Sequence, residues 1–248
     1  MRLSLLWMLL LSSPCWASKI QFGSYLDYPF GNGVTAKMEV ANSPLQVRFK
    51  WGVLTPGFLQ AGTQFLMNTD KMTLQEAIVI DNAYEEGFQY EMAVGMKFPG
   101  SDQFYFDFGY GLMKGDGTMS DEDSISVMGN TPNDIMPLVQ GPNKQSLRMG
   151  LKGDIHFLQT TLGMQAPLND SFTFRAELAL RRPIASEMKV EFGPNKIKDE
   201  FSERVDQTQK DLLHDLAVIP SFTFGINYTF KTEEIISSLQ EKPKLGSL

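Results

Sequence analysis

The stretch SFTFGINYTF, Ser221 to Phe230, puts Phe222, Phe224, Ile226, Tyr228 and Phe230 on one side and Ser221, Thr223, Gly225, Asn227 and Thr229 on the other. Unbroken alternation of this kind is the signature of a β-strand with one apolar, aromatic face. Whether that face meets a protein core or lipid decides the fold.

Seven further segments alternate. Ile20–Phe30 carries Ile20, Phe22, Leu26, Tyr28 and Phe30 on one side. Val34–Val40 sets Val34, Ala36, Met38 and Val40 against Thr35, Lys37 and Glu39. Leu45–Met67 keeps one phase from Leu45 through Trp51 and Val53 to Leu59, Phe65 and Met67, and reads as a single long strand. Tyr84–Phe98 and Gln103–Lys114 follow, the latter with Phe104, Phe106, Phe108, Tyr110 and Leu112 in line. In Gln145–Ala166 the apolar set changes phase, from Met149, Leu151, Ile155 and Phe157 to Leu158, Leu162 and Met164. That change predicts a β-bulge near Phe157–Leu158. Ser171–Phe192 completes the set of eight with the opening stretch.

The connections fall into two classes. Ala41–Pro44, Pro99–Asp102 and Pro167–Asp170 are short and turn-like, and Gly31–Gly33 reads as a tight Gly-Asn-Gly turn. Asn68–Ala83, Gly115–Lys144 and Gly193–Leu216 are long. Short turns follow strands two, four and six, so the long loops gather at one end. An even number of antiparallel strands with that asymmetry is the pattern of a transmembrane β-barrel. The expected fold is all-β: an eight-stranded antiparallel up-and-down barrel over residues 18–230.

The N-terminal MRLSLLWMLLLSSPCWA has one basic residue, Arg2, an apolar run from Leu3 to Leu11, and small residues to Ala17. It reads as a secretory signal peptide over residues 1–17; cleavage before Cys15, as in a lipoprotein, is the alternative. Removal takes only Arg2 from the charged residues, so the formal net charge of −7 becomes −8. The remaining chain has no cysteine. The acidic balance gives no nucleic-acid footprint, and no later segment is apolar for long enough to be a transmembrane helix.

A soluble lipocalin-like ligand-binding barrel would also alternate, with its apolar face inward. Gly23, Gly52, Gly62, Gly87, Gly95, Gly109, Gly111, Gly150 and Gly225 fall on the polar face, with Gly57 and Gly153 as exceptions. Small residues suit a face that is crowded, as the lumen of an eight-stranded barrel is. With the polar face inward, the lumen is expected to hold Asp27, Glu39, Glu91, Asp107, Asp154 and Glu177 with Lys37, Arg48, Lys50, Lys97, Arg148, Lys152, Arg175 and Arg181. Mixed charge is what a buried network requires. Tyr28 and Phe30, Phe98, Phe104, Tyr228 and Phe230 sit toward strand ends, as interfacial aromatic girdles do.

The last strand resembles the C-terminal assembly signal of bacterial outer-membrane barrel proteins: polar Thr223, Gly225, then Tyr228 and Phe230 one residue apart. The resemblance implies the outer membrane as location, its lipid as surroundings, and binding of this strand by the barrel-assembly machinery during biogenesis, a form of β-augmentation. The family signal often ends the chain; here Lys231–Leu248 follows, and is expected to be a short periplasmic tail.

Candidate chemistry is sparse. Asp154 and His156 share a strand face, and some outer-membrane barrels are lipid-modifying enzymes. Ser146 is about 33 Å away along the strand, so a nucleophile would come from a neighbour such as Tyr105 or Thr173. His156 as a hydrogen-bonded member of the lumen network is the simpler reading. His214 lies on a segment, Lys196–Leu216, where Ile197, Phe201, Val205, Leu212 and Leu216 predict an amphipathic helix over the barrel mouth. Asp116, Asp121, Glu122, Asp123 and Asp134 make the Gly115–Lys144 loop acidic, without the spacing of an EF-hand. No cofactor or metal motif is present. The expectation is a non-enzymatic barrel with a structural, surface-interaction or small-solute channel role, with a lipid hydrolase or acyltransferase as the alternative.

Overall fold

A computed structural model of the chain describes residues 17–128, 148–192, 202–203, 205–211, 213 and 218–231. Most of the signal peptide, Cys15, Ser146, Asp134, Ile197, Phe201, Leu212, His214, Leu216 and the tail beyond Lys231 lie outside them.

Eight antiparallel strands close into a barrel in chain order, β1 pairing with β8. They are β1 (Ala17–Tyr28), β2 (Gly31–Val40), β3 (Leu45–Leu54), β4 (Glu86–Lys97), β5 (Phe104–Met119), β6 (Met149–Pro167), β7 (Phe172–Phe192) and β8 (Ile219–Lys231). The helices among the described residues include α1 (Pro56–Asn68), α2 (Leu74–Ala83) and α3 (Asp121–Met128); residues 205–211 are also helical.

The barrel is apolar outside and polar inside over most of its height. Phe22, Leu26, Trp51, Met92, Val94, Phe108, Leu180, Phe222, Phe224 and Ile226 all point out and are about half exposed. Gln21, Lys37, Arg48, Lys50, Asp107, Arg175, Arg181 and Thr223 point in and are buried. A water-soluble barrel has the reverse arrangement, because exposed apolar surface of this extent costs free energy in water. The outer belt is a lipid-facing surface. Among the described residues no helix is long and apolar enough to cross a membrane; the strands do it.

The rim is uneven. β1, β2 and β3 run 10 to 12 residues, while β6 has 19 and β7 has 21. The β5–β6–β7 wall therefore stands above the rest, and there the polarity inverts. On β5 the outer residues change from Phe108, Tyr110 and Leu112 to Lys114 and Asp116, while the inner ones change from Asp107 to Met113 and Met119. On β6 the outer side passes from Leu162 to His156, Asp154 and Lys152, and the inner side from Gln159 to Phe157, Ile155 and Leu151. Above this level water is outside, and the inner face packs on helices, as in a soluble protein.

This inversion corrects one expectation. The phase change in β6 is not an extra residue in β6, whose pairing with β5 runs without a shift. The irregularity is on the partner: His156 faces Ala185 and Phe157 faces Pro183, leaving Ile184 of β7 unpaired. That bulge moves the even-numbered apolar residues of β7 from the lipid side (Leu178, Leu180) to the inside (Met188, Val190).

The strand expected to run to Met67 ends at Leu54, and α1 begins at Pro56. Leu59 and Thr63, four apart, are its buried face, which is helical spacing; the alternate residues that suggested a strand are a subset of that pattern. Proline at the first helical position stabilises such a start. α2 opens with a capping box, Thr73 Oγ accepting from the Glu76 N–H and Glu76 accepting from the Thr73 N–H. The first turn is at Pro29–Phe30, where the Phe30 N–H donates to the Asp27 carbonyl at 2.8 Å, and Gly31–Gly33 already belong to β2. Phe30, expected in the outer girdle, is instead buried, its ring carried inward against Arg181. Gly62 lies in α1, not on a strand, and Gly153 is on the inner face.

Candidate functional site

The inside of the barrel is the densest collection of functional groups in the molecule. Glu177 is one hub. It pairs with Arg48, with Lys50 at 2.7 Å and with Arg175 at 3.2 Å, and accepts a hydrogen bond from the Tyr105 hydroxyl. Arg48 also pairs with Asp107 at 3.1 Å. Arg181 is the second hub, pairing with Asp27 at 2.5 Å and with Glu91. Lys50 reaches Glu91 at 3.6 Å and donates to Thr223 at 3.1 Å, linking the hubs. Toward the short-turn end, Lys37 donates to Gln165 at 2.9 Å, while Glu39 pairs with Lys37 at 3.7 Å and Lys97 at 2.8 Å. Gln46, Gln89 and Gln159 fill in as donors to Asp107, Asp27 and Glu91. These residues come from all eight strands, and the pairs of β7 with β1, β3 and β4 make the network cross the lumen and not merely follow neighbouring strands.

Inner glycines make room for the rings in this layer. A Cβ on Gly163 would overlap the Tyr105 ring, and one on Gly111 would overlap Phe157. Tyr105 in turn lies under Lys37, whose ammonium is 4.5 Å from the ring centre.

The described residues close the long-loop end with aromatic and aliphatic side chains. The Arg181 guanidinium lies 4.4 Å from the centre of Phe30 and 5.2 Å from that of Phe157. Beyond these rings begins an apolar core of Leu54, Leu59, Val79, Ala83, Tyr84, Met113, Met119, Leu151, Ile155, Met188, Val190, Val205 and Leu213. α1, α2 and the helical residues 205–211 supply its upper layer. Val205, Gln209 and Leu213, each four apart, are the buried face of the last. This segment also satisfies the free edge of β7: Asp206 accepts from the Met188 N–H at 3.0 Å and Ser202 from the Val190 N–H at 3.5 Å.

Two ionisable groups of the cap are shifted by burial. The Asp81 carboxyl is pushed above its ordinary value, although the Thr63 hydroxyl, 2.9 and 3.1 Å from its oxygens, works the other way. The Tyr84 phenol is pushed well above its ordinary value, first by burial and then by the Asp154 charge; Gln209 donates to it at 3.3 Å.

Three of the charges expected in the lumen stand outside it. Lys152 is on the outer face of β6 and pairs with Glu191 at 2.6 Å and Asp116 at 3.7 Å. Asp154, also outward, pairs with Lys114 at 2.6 Å. Arg148 is exposed just before β6. All three lie in the zone where water is outside, which reverses the meaning of polar. His156 is outward for the same reason, its Nδ1 bonded to the Tyr110 hydroxyl at the top of the aromatic belt. Its neighbours across the strands are Leu112 and Ala185. Tyr105 and Thr173, the nucleophiles considered for it, are buried on the opposite side of the sheet. Among the described residues, no cluster of His, Cys, Asp and Glu could hold a metal ion. Asp121, Glu122 and Asp123 form the first turn of α3, where the helix dipole favours negative charge.

On β8, Thr223 and Gly225 face the lumen while Tyr228 and Phe230 join an outer aromatic cluster with Phe22 and Phe172, ring centres 4.6 to 5.9 Å apart.

No family model and no curated protein matches the chain. Among solved structures it is similar to Acinetobacter baumannii CarO, with a TM-score of 0.38 and 7% identity over 85% of this chain and 97% of that one. It is also similar to a major outer membrane protein from Thermus thermophilus, with a TM-score of 0.43 and 12% identity over 86% of this chain and 99% of that one.

Proposed function

We propose that the chain is a bacterial outer-membrane barrel whose role is structural or surface-interacting, and that it does not conduct solutes. The observation that carries the reading is the closed lumen: cross-strand ion pairs at Glu177 and Arg181, roofed by Phe30 and Phe157 and then by an apolar core. Among the described residues a hydrated ion has no polar route through that roof, and dehydrating it is costly. The apolar outer belt and the export signal expected in residues 1–17 support the membrane location. Purified protein in planar bilayers should give no conductance steps; discrete steps would overturn this reading and favour the channel.

A catalytic role is the second reading, and the geometry supports it less. His156 is bonded to the Tyr110 phenol, Asp154 is paired with Lys114, and neither is paired across the strands with a serine or threonine. His156→Ala and His214→Ala variants should leave the lipid A mass profile of expressing cells unchanged.

Binding of β8 by the assembly machinery belongs to the same proposal. Phe230→Ala should lower the amount of heat-modifiable, membrane-inserted barrel severalfold, and more than deletion of residues 232–248 does. Equal loss from the two changes would mean the strand is not read as the signal.

A further inference from the structure

The barrel wall is notched where β8 ends. The β7–β8 ladder stops at Arg181↔Ile219 and the β1–β8 ladder at Tyr28↔Phe222, while among the described residues β7 continues to Phe192 with β6 as its one paired strand. Pro183 and Pro220 stand at the notch, and neither can offer a backbone donor to an added strand. Behind the notch lies a cavity of about 350 Å³, within the range of small-molecule sites.

Two features give this cavity a direction. Its mouth includes Tyr28, Phe222 and Phe65, which are 43%, 49% and 62% exposed. Tyr28 and Phe222 are the top rung of the lipid-facing belt, directly above Leu26 and Phe224. Its inner end includes Tyr84, Met113, Ile155 and Phe157, side chains of the cap core. The wall is thus continuously apolar from the bilayer surface to the protein interior. Arg181 is the charged residue in it, but Asp27 and Glu91 already neutralise it and Phe30 and Phe157 lie against it. The wall therefore offers no net positive charge to an acidic head group.

We propose that this cavity takes the single unbranched alkyl chain of a membrane amphiphile, entering tail first from the bilayer through the notch between β8, the β1–β2 turn and α1. The polar head stays at the mouth, at the height where the outer face turns from apolar to polar. Chain shape selects the ligand, and head-group charge does not. The inference rests on the membrane-barrel reading, because the mouth opens on the lipid belt.

The test is native mass spectrometry of the full folded chain, released from a detergent with no linear alkyl chain, after addition of palmitate, hexadecanol or a two-chain phosphatidylethanolamine. Palmitate and hexadecanol should each give one saturable adduct of comparable affinity. Leu66→Trp, which fills the cavity from α1, should reduce that adduct at least tenfold while the heat-modifiable band persists. Val94→Trp, on the outer face of β4 and away from the mouth, should not change it. No adduct, an adduct indifferent to Leu66→Trp, or an adduct with the phospholipid alone would overturn the proposal. Membrane retention after alkaline extraction, measured on the same protein, separates this failure from failure of the membrane reading.

Discussion

Glu177→Gln should destabilise the folded barrel by about 3–5 kcal/mol, the cost of leaving buried charges without their partner. The side-chain volume barely changes, so packing is not the cause. What changes is that Arg48, Lys50 and Arg175 converge on a neutral amide in a lumen closed to water. The Tyr105 hydroxyl also loses a charged acceptor. Urea unfolding of refolded protein, followed by loss of the heat-modifiable band, reads the effect. Glu86→Gln, at the exposed end of β4, should stay within about 0.5 kcal/mol as the matched control. Adding Arg175→Met to Glu177→Gln should recover part of the loss, since the cation whose ion pair was with Glu177 is then removed. If the single variant cost less than about 1 kcal/mol, water would have to reach the hub, and the sealed-lumen account with it would fail.

Phe108→Lys should cost about 2–4 kcal/mol in phospholipid vesicles, as a lysine on the lipid face near the bilayer midplane does. Phe108 is the middle of the five outward apolar residues of β5 and is 53% exposed. Ala185→Lys is also outward and exposed, but lies on β7 opposite His156, above the polarity change. It should cost almost nothing. The comparison is sharp because both substitutions put the same ion on the outer wall. Equal costs would mean that the belt is not in lipid.

Alternation made the barrel legible from sequence: the in–out assignment of Phe222 against Thr223, or Phe106 against Asp107, needs only a period of two. It failed where the medium changes. In β5 and β6 the backbone continues unbroken past Met113 and Phe157, yet polar side chains move to the outside because water replaces lipid there. Sequence registers that event as a phase change, and a bulge produces the same pattern. Both occur here, the bulge on β7 at Ile184 and the medium change on β6 beside it. For that reason alternation points Lys152, Asp154 and His156 to the lumen although they lie outside it, while Arg48, Lys50, Glu91, Arg175, Glu177 and Arg181, all below the change, lie in it. The α1 and α2 helices had signals of their own: Thr55-Pro56 at one start and Thr73 with Glu76 at the other. The alternating subset Leu59, Ala61, Phe65 and Met67 masked the first. The notch and its cavity had no such signal, because they arise from unequal strand ends and helix placement.

The cross-lumen network also bears on how the chain finds a single alignment. Sliding one strand by one residue turns its apolar face inward and is excluded by the belt alone. Sliding it by two keeps every side chain on its proper face, so hydrophobic patterning cannot detect the error. A slip of two nevertheless carries Glu177 or Arg181 roughly 7 Å along the axis, out of reach of its partners. Arg48 and Lys50 on β3, Asp27 on β1 and Glu91 on β4 must all meet residues of β7, on the far side of the chain's connectivity. The charges thus proofread closure: until the eighth strand is home and every neighbour is in step, some ion in the bore is left without its counterion.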